Sequence, residues 1–120
     1  MDSDQKLCFV EMKVMVICSH NAKSCTMNDE LLPLPKWLYG NKIPMFAPDF
    51  VVPLQSVKIG DFPAYFPTTV GSVYALTKHE LANLSYFYND DFGVTNPDAS
   101  RRVLVNAFMK FVQGQCLHKA

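Results

Sequence analysis

The sequence predicts an α+β protein with a small N-terminal β-rich lobe, a proline-rich irregular middle and two amphipathic C-terminal helices. Three observations support this fold class. Apolar and charged residues alternate near the N terminus, seven of the eight prolines lie between residues 33 and 67, and apolar residues recur every three or four positions after Pro67. A chain of 120 residues, 49% of them hydrophobic, is long enough for one core. We expect one unit, with the β-rich lobe and its linker at residues 1–67 and the helical lobe at residues 68–120.

The first predicted element is a strand from Leu7 to Cys18. Glu11 and Lys13 fall on one face of an extended chain, and the other face carries Val10, Met12, Val14 and Val16. A polar turn at residues 20–24 follows, and residues 25–27 are predicted to form a short partner strand.

The proline-rich middle opens at Leu34-Pro35-Lys36-Trp37-Leu38, which contains the only tryptophan. Pro35 favours the first position of a helical turn, and Gly40 favours its end, so residues 36–39 are predicted to form one short turn. This turn would display Trp37 and Leu38 towards a core. The rest of the middle is predicted to be irregular, with short extended pieces at residues 50–52 and 56–59.

The C-terminal part predicts two amphipathic helices. The first helix is predicted to end near Asn89. The positions that recur at three- and four-residue steps along it are Val70, Val73, Tyr74, Thr77, Leu81, Leu84 and Tyr88. Its N-cap is Thr68 or Thr69, although Thr77 and Glu80 form a capping box that would start the helix later. Residues 96–98 give the start signal of the second helix, which ends at Gly114 and has apolar positions at Val103, Leu104, Ala107, Phe108, Phe111 and Val112.

Composition narrows the classes of function. Eleven basic and eleven acidic residues cancel, so no net charge favours direct binding to nucleic acid or to a membrane surface. Glu11 and Lys13 interrupt the N-terminal apolar run, unlike a signal peptide or a membrane span, so we expect an intracellular protein. Only 18% of the residues are charged and 12% are aromatic, which predicts exposed apolar surface and a protein partner.

The order of these elements resembles GINS subunits of the type whose small β-domain precedes the helical domain. GINS is the four-subunit factor of the eukaryotic replicative helicase. In that family a β-segment leads into Pro-Leu-Trp-Leu-Ala, then a stretch ending in Pro and an aromatic, a helix beginning around a Tyr, and a loop with Pro and acid before a helix with Arg. The matching residues are Pro35, Trp37, Leu38, Pro48, Phe50, Tyr74, Leu76, Thr77, Pro97, Asp98, Arg101 and Leu104.

The resemblance implies a non-enzymatic architectural subunit of a hetero-oligomeric assembly in DNA replication, located in the nucleus. Its important residues would be packing residues, since aromatic anchors carry much interface energy. Trp37 and Leu38 would anchor the junction of the two lobes. The helix-joining anchors would be Tyr74, Leu81, Leu84, Phe108 and Phe111. Simple burial in the chain's own core is the alternative role for each.

Two alternatives to this function stay open. One is a small protein-interaction module unrelated to replication, of viral or other specialised origin. The other is a zinc-stabilised domain, because two Cys-x-His pairs in extended chain could supply four ligands, namely Cys18, His20, Cys116 and His118. Buried cysteine is the commoner role, so we expect no metal and no cofactor. No nucleophile, phosphate-binding loop or calcium loop has a recognisable local signature, so we also expect a protein that is not an enzyme.

Overall fold

The computed structural model describes residues 3–44, 46–47, 50–52 and 57–114. Four helices form its regular structure: α1 at Ser3–Asn21, α2 at Val70–Tyr74, α3 at Lys78–Tyr88 and α4 at Arg101–Val112. These described ranges contain no strand, and their one isolated β-bridge pairs Glu30 with Thr69 in antiparallel sense. The predicted α+β class is therefore wrong, because the N-terminal β-rich lobe is absent and the regular structure is helical.

Helix α1 replaces the predicted N-terminal strand. Val10 and Val14 are buried, whereas Met12 and Val16 are more than half exposed, although a strand would place all four on one face. Burial instead follows the helical repeat, with the inward residues at Val10, Val14, Ile17, Cys18 and Asn21. The 19 residues of α1 contain neither glycine nor proline, which suits a long helix.

An extended central segment, residues 29–37, follows α1 and its turn. Its first part pairs with the residues before α2, through Leu31 N–H to the Thr68 carbonyl at 2.8 Å. Its last part pairs with a later loop: the Lys36 N–H donates to the Asp61 carbonyl and the Gly60 N–H donates to the Lys36 carbonyl, both at 2.8 Å. The predicted helical turn at residues 36–39 is wrong, because Lys36 uses both backbone groups in this pairing.

The other short extended pieces are also not strands where the structure describes them. The N–H groups of Cys25 and Thr26 donate to the Asp29 carboxylate, at 2.8 and 2.9 Å, which closes a turn in place of the predicted partner strand. Residues 50–52 and 57–59 carry no strand, and residue 56 lies outside the described residues.

Capping residues set the starts of the C-terminal helices. Thr69 caps α2, and the predicted capping box of Thr77 and Glu80 starts α3 after a break at residues 75–77. Helix α3 ends at Tyr88, and its C-cap, Asn89, adopts a left-handed conformation. Helix α4 starts later than predicted: Ser100 is its N-cap, while the Asn96 side chain instead accepts the Asp98 N–H in a local turn.

The core is a cluster of aromatic rings between the central segment, α3 and α4. The Trp37 ring stacks on Phe111 with centroids 5.4 Å apart and lies 5.7 Å from Tyr88. The Tyr88 hydroxyl donates to the Leu34 carbonyl at 2.6 Å, and burial raises the pKa of Tyr88 well above its usual value. One hydrophobic cluster runs from Val10 of α1 to Val112 of α4.

Asn21 joins the end of α1 to this core. Its side-chain amide donates to the carbonyls of Leu32 and Val112, each at 3.1 Å, and its side-chain oxygen accepts the Leu32 N–H at 2.8 Å. The side chain is fully buried. It thus supplies partners for one carbonyl at the end of α4 and for both backbone groups of one residue in the central segment.

Candidate functional site

The predicted anchor residues divide into buried and exposed groups. Trp37, Leu81, Leu84, Phe108 and Phe111 are all buried. The other two lie at the surface: Leu38 is 37% exposed and Tyr74 is 41% exposed. The buried five build the chain's own core.

The predicted zinc ligands do not converge within the described residues. Cys18 and His20 lie on a helix, where a two-residue step turns side chains about 200° apart. Cys18 is buried, and this burial raises its pKa to about 11, whereas His20 is exposed. Cys116 and His118 lie outside the described residues. No group of three metal-binding side chains occurs in the described part of the chain.

Helix α1 has a second apolar face that is largely exposed in the described part of the chain. We call it the outer face and define it by Cys8, Phe9, Met12, Met15 and Val16. Phe9 is 59% exposed, Met12 62%, Met15 63% and Val16 71%, and Cys8 is also exposed. Positions 8, 12 and 15, like positions 9, 12 and 16, follow the spacing of one helix face. The strand prediction concealed this face, because it assigned Met12 and Val16 to the core.

Charged residues border the outer face on both sides. Glu11 and Lys13 flank Met12 in sequence and therefore project about 100° to either side of it. The Lys13 ammonium lies 5.8 Å from the centre of the Phe62 ring, a distance at which a cation is attracted to the ring. The outer face thus has an acidic edge and a basic edge.

An open groove of about 780 Å³ lies beside α3. Aromatic and proline residues of the loop at residues 62–67 form one wall, and Ala75, Leu84 and Phe87 form part of the other. Glu80 also lines it; hydrogen bonds from Thr77 hold the pKa of Glu80 below its usual value, so this carboxylate is charged at neutral pH. The groove would suit an apolar ligand.

A second cavity, of about 290 Å³, is lined by three lysines and by uncharged residues. We call it the lysine pocket; its residues are Lys6, Lys36, Tyr39, Gly40, Val57, Lys58 and Ile59. Lys36 is 1% exposed and its ammonium donates to the carbonyls of Gly40 at 2.5 Å and Phe87 at 2.7 Å. Desolvation by burial lowers the pKa of Lys36.

Sequence reasoning did not find this pocket. In the sequence, Lys36 belongs to the Pro-Lys-Trp-Leu run. Lys6 and Lys58 lie 30 and 22 residues away from it. Their approach depends on the backbone pairing of Lys36 with residues 60 and 61, which leaves no local signal.

Comparisons with protein-family models, curated proteins and solved structures found no match. The resemblance to GINS subunits therefore stays a prediction from the quoted residues. The β-segment that it places ahead of Pro35 is helix α1 in the structure, and Pro48 of its second motif lies outside the described residues. No helix in the part of the chain described here combines the length and apolar character that a membrane span requires.

Proposed function

We propose that this protein is a non-enzymatic interaction subunit of a hetero-oligomeric assembly, and that it docks a helix of another subunit on the outer face of α1. The observation that carries the proposal is the row of four large side chains, Phe9, Met12, Met15 and Val16, each more than half exposed on one helix face. Scattered apolar side chains are normal on a surface, but a contiguous apolar face bordered by charges is typical of an interface.

The edges of the outer face favour a particular kind of partner. A helix packed on α1 would meet Glu11 along one edge and Lys13 along the other. The partner we propose is an amphipathic helix with an apolar stripe, a basic residue opposite Glu11 and an acidic residue opposite Lys13. Two methionines at the centre suit such a surface, because their flexible thioethers adapt to a neighbouring side chain.

Methionine oxidation tests the proposal without a folding change. Met12 and Met15 are exposed, whereas Met109 is 7% exposed and serves as an internal control. In the free protein, peroxide should convert Met12 and Met15 to sulfoxides well before Met109. In the assembly purified from the native cell, both should be protected. Equal oxidation of Met12 and Met15 in free and assembled protein would refute docking on this face.

A pair of variants separates this face from general surface apolarity. Met12→Glu places a charge at the centre of the outer face, and Val103→Glu makes the same kind of change on α4, where Val103 is 49% exposed. Both should fold with free energies of unfolding within about 0.5 kcal/mol of the parent, as is usual at exposed positions. Only Met12→Glu should lose the partner subunit in affinity purification.

The size of the isolated protein tests which partner occupies the face. A monomer in solution supports a different subunit as the occupant. A dimer that Met12→Glu dissociates would show that a second copy covers the outer face, and would overturn the hetero-oligomeric part of the proposal. Recovery of three comparable small partners from the native cell is the result that the GINS resemblance implies, and their absence would remove the proposed role in DNA replication.

A further inference from the structure

We infer that the lysine pocket binds a small ligand that carries a phosphate group. The inference is independent of docking on the outer face. It rests on three lysines, Lys6, Lys36 and Lys58, that line one cavity of about 290 Å³ together with uncharged residues.

Lys36 contributes a buried positive charge beside the pocket. Its ammonium is buried and has three N–H donors, of which two bind the carbonyls of Gly40 and Phe87. Both of these acceptors are uncharged carbonyl oxygens and not carboxylates. A buried cation without a counter-ion is costly, and an anion in the adjoining cavity would offset that cost.

Gly60 brings a second lysine to the same place. Its φ angle of +95° lies in the region that favours glycine, and a Cβ atom at this position would lie 3.4 Å from Cε and 4.0 Å from Nζ of Lys6. The Gly60 N–H also donates to the Lys36 carbonyl. The Lys6 side chain from α1 and the backbone of Lys36 therefore meet at one glycine.

The charged residues that line the pocket are all lysines. Asp61 follows Gly60, but one of its carboxylate oxygens accepts the Lys58 N–H at 2.9 Å, and the residue lines the larger groove. No aspartate or glutamate lines the lysine pocket. Three positive charges without a carboxylate favour a ligand with two negative charges on one group, as a phosphate monoester has at neutral pH.

The remaining lining indicates the size and character of the ligand. Val57 and Ile59 are apolar lining residues, and Tyr39, which is 60% exposed, also lines the pocket. A volume near 290 Å³ lies at the lower end of the range for ligand pockets, which favours a phosphate ester with a short carbon chain over a long polyanion. Such a ligand could be free in solution or could be the headgroup of a lipid.

Titration calorimetry of the full chain tests whether the pocket binds phosphate, and whether the phosphate belongs to a free ester or to a lipid headgroup. The probes are glycerol 3-phosphate, inorganic phosphate, glycerol, and phosphatidylcholine vesicles with and without phosphatidic acid. We expect binding of glycerol 3-phosphate and inorganic phosphate and none of glycerol. Binding restricted to phosphatidic acid vesicles would support the phosphate site and assign it to a lipid headgroup. Absence of binding by every phosphate probe would overturn the inference.

Lysine variants then locate the site. Lys6→Gln and Lys58→Gln should each weaken binding of the phosphate probe roughly tenfold, the loss expected for one hydrogen bond to a charged group. The matched control is Lys78→Gln, an exposed lysine of α3 outside the pocket, which should bind as the parent does. Lys6 and Lys58 are also exposed, so their variants should keep the fold. Equal affinities in all three variants would overturn the assignment to this pocket.

Discussion

Replacement of Trp37 with alanine should destabilise the protein by about 3–5 kcal/mol, the usual cost of truncating a buried aromatic residue. Trp37 is 9% exposed and lies between two ring partners, Phe111 and Tyr88, with centroids at 5.4 and 5.7 Å. Each ring pair contributes about 0.5–1.5 kcal/mol beyond area burial, so loss of both contacts is part of the expected change. Because Trp37 is the sole tryptophan, far-ultraviolet circular dichroism in urea is the measurement, in place of tryptophan fluorescence.

The control for this variant is Tyr39→Ala, which removes an aromatic side chain two residues away. Tyr39 is 60% exposed, so its loss should change the free energy of unfolding by at most about 0.5 kcal/mol. A Trp37→Phe variant keeps a ring in the same site and should retain part of the stability, which keeps the measurement possible if the alanine variant is too unstable. A loss below about 1 kcal/mol in Trp37→Ala, with an unchanged denaturant slope, would refute the burial on which the reasoning depends.

Four further predictions concern polar residues of the fold. Asn21→Ala should cost about 2–4 kcal/mol in urea unfolding, because the Val112 carbonyl and a central-segment N–H and carbonyl lose their buried partner; a cost near zero would mean that water replaces it. Thr77→Ala should cost about 1 kcal/mol as the loss of an N-cap. The contribution of the Glu80 carboxylate to stability also depends on pH, because hydrogen bonds from Thr77 lower the pKa of Glu80 in the folded protein. This contribution is fully present above the unfolded pKa of Glu80 and is lost as pH falls through the folded pKa. Lys36→Met removes a cation whose pKa is lowered by burial. In the parent protein, the unfolded chain binds the Lys36 proton more tightly than the folded chain does. The parent should therefore gain stability relative to Lys36→Met as pH rises towards 10.5. A difference in free energy of unfolding between parent and variant that does not change with pH would contradict this.

Local signals predicted some ends of the C-terminal helices because the causes of those ends are local, although the first predicted helix is divided into α2 and α3. The capping box of Thr77 and Glu80 lies within four residues and appears in the structure as the sequence indicates. Asn89 likewise ends α3 through its own left-handed backbone conformation. The start of α4 was harder, since Asn96 and Ser100 are both good N-caps and only one can begin the helix.

The N-terminal fold could not be predicted from periodicity because α1 is apolar on two faces. Residues 10, 12, 14 and 16 are all apolar, so the pattern fits a strand as well as a helix. Tertiary packing determines that the segment is a helix, since Val10 and Val14 are buried whereas Met12 and Val16 are exposed. The same ambiguity concealed the outer face, since apolar residues that bind a partner look like core residues in the sequence.

The central segment shows a second limit of local reasoning. Pro35 favours a helical turn, but the chain at Lys36 is extended because both of its backbone groups pair with residues 60 and 61. That pairing spans more than 20 residues, and it also creates the lysine pocket. The signal that would have located the pocket is long-range, and no spacing within the Pro-Lys-Trp-Leu run contains it.

Helix α1 contributes to both proposed sites, and its geometry predicts that they act separately. Lys6 of α1 lines the lysine pocket. Beside the pocket, Cε of Lys6 and Cγ2 of Val10 lie 3.4 and 3.7 Å from the Cβ position of Gly60. Met12 projects about 160° away from Val10 around the helix, at the centre of the outer face. Met12→Glu should therefore lose the partner subunit and keep the parent's affinity for glycerol 3-phosphate, whereas Lys58→Gln should do the reverse. A Met12→Glu variant that loses both properties, while its far-ultraviolet circular dichroism matches the parent, would mean that the two sites are coupled through α1.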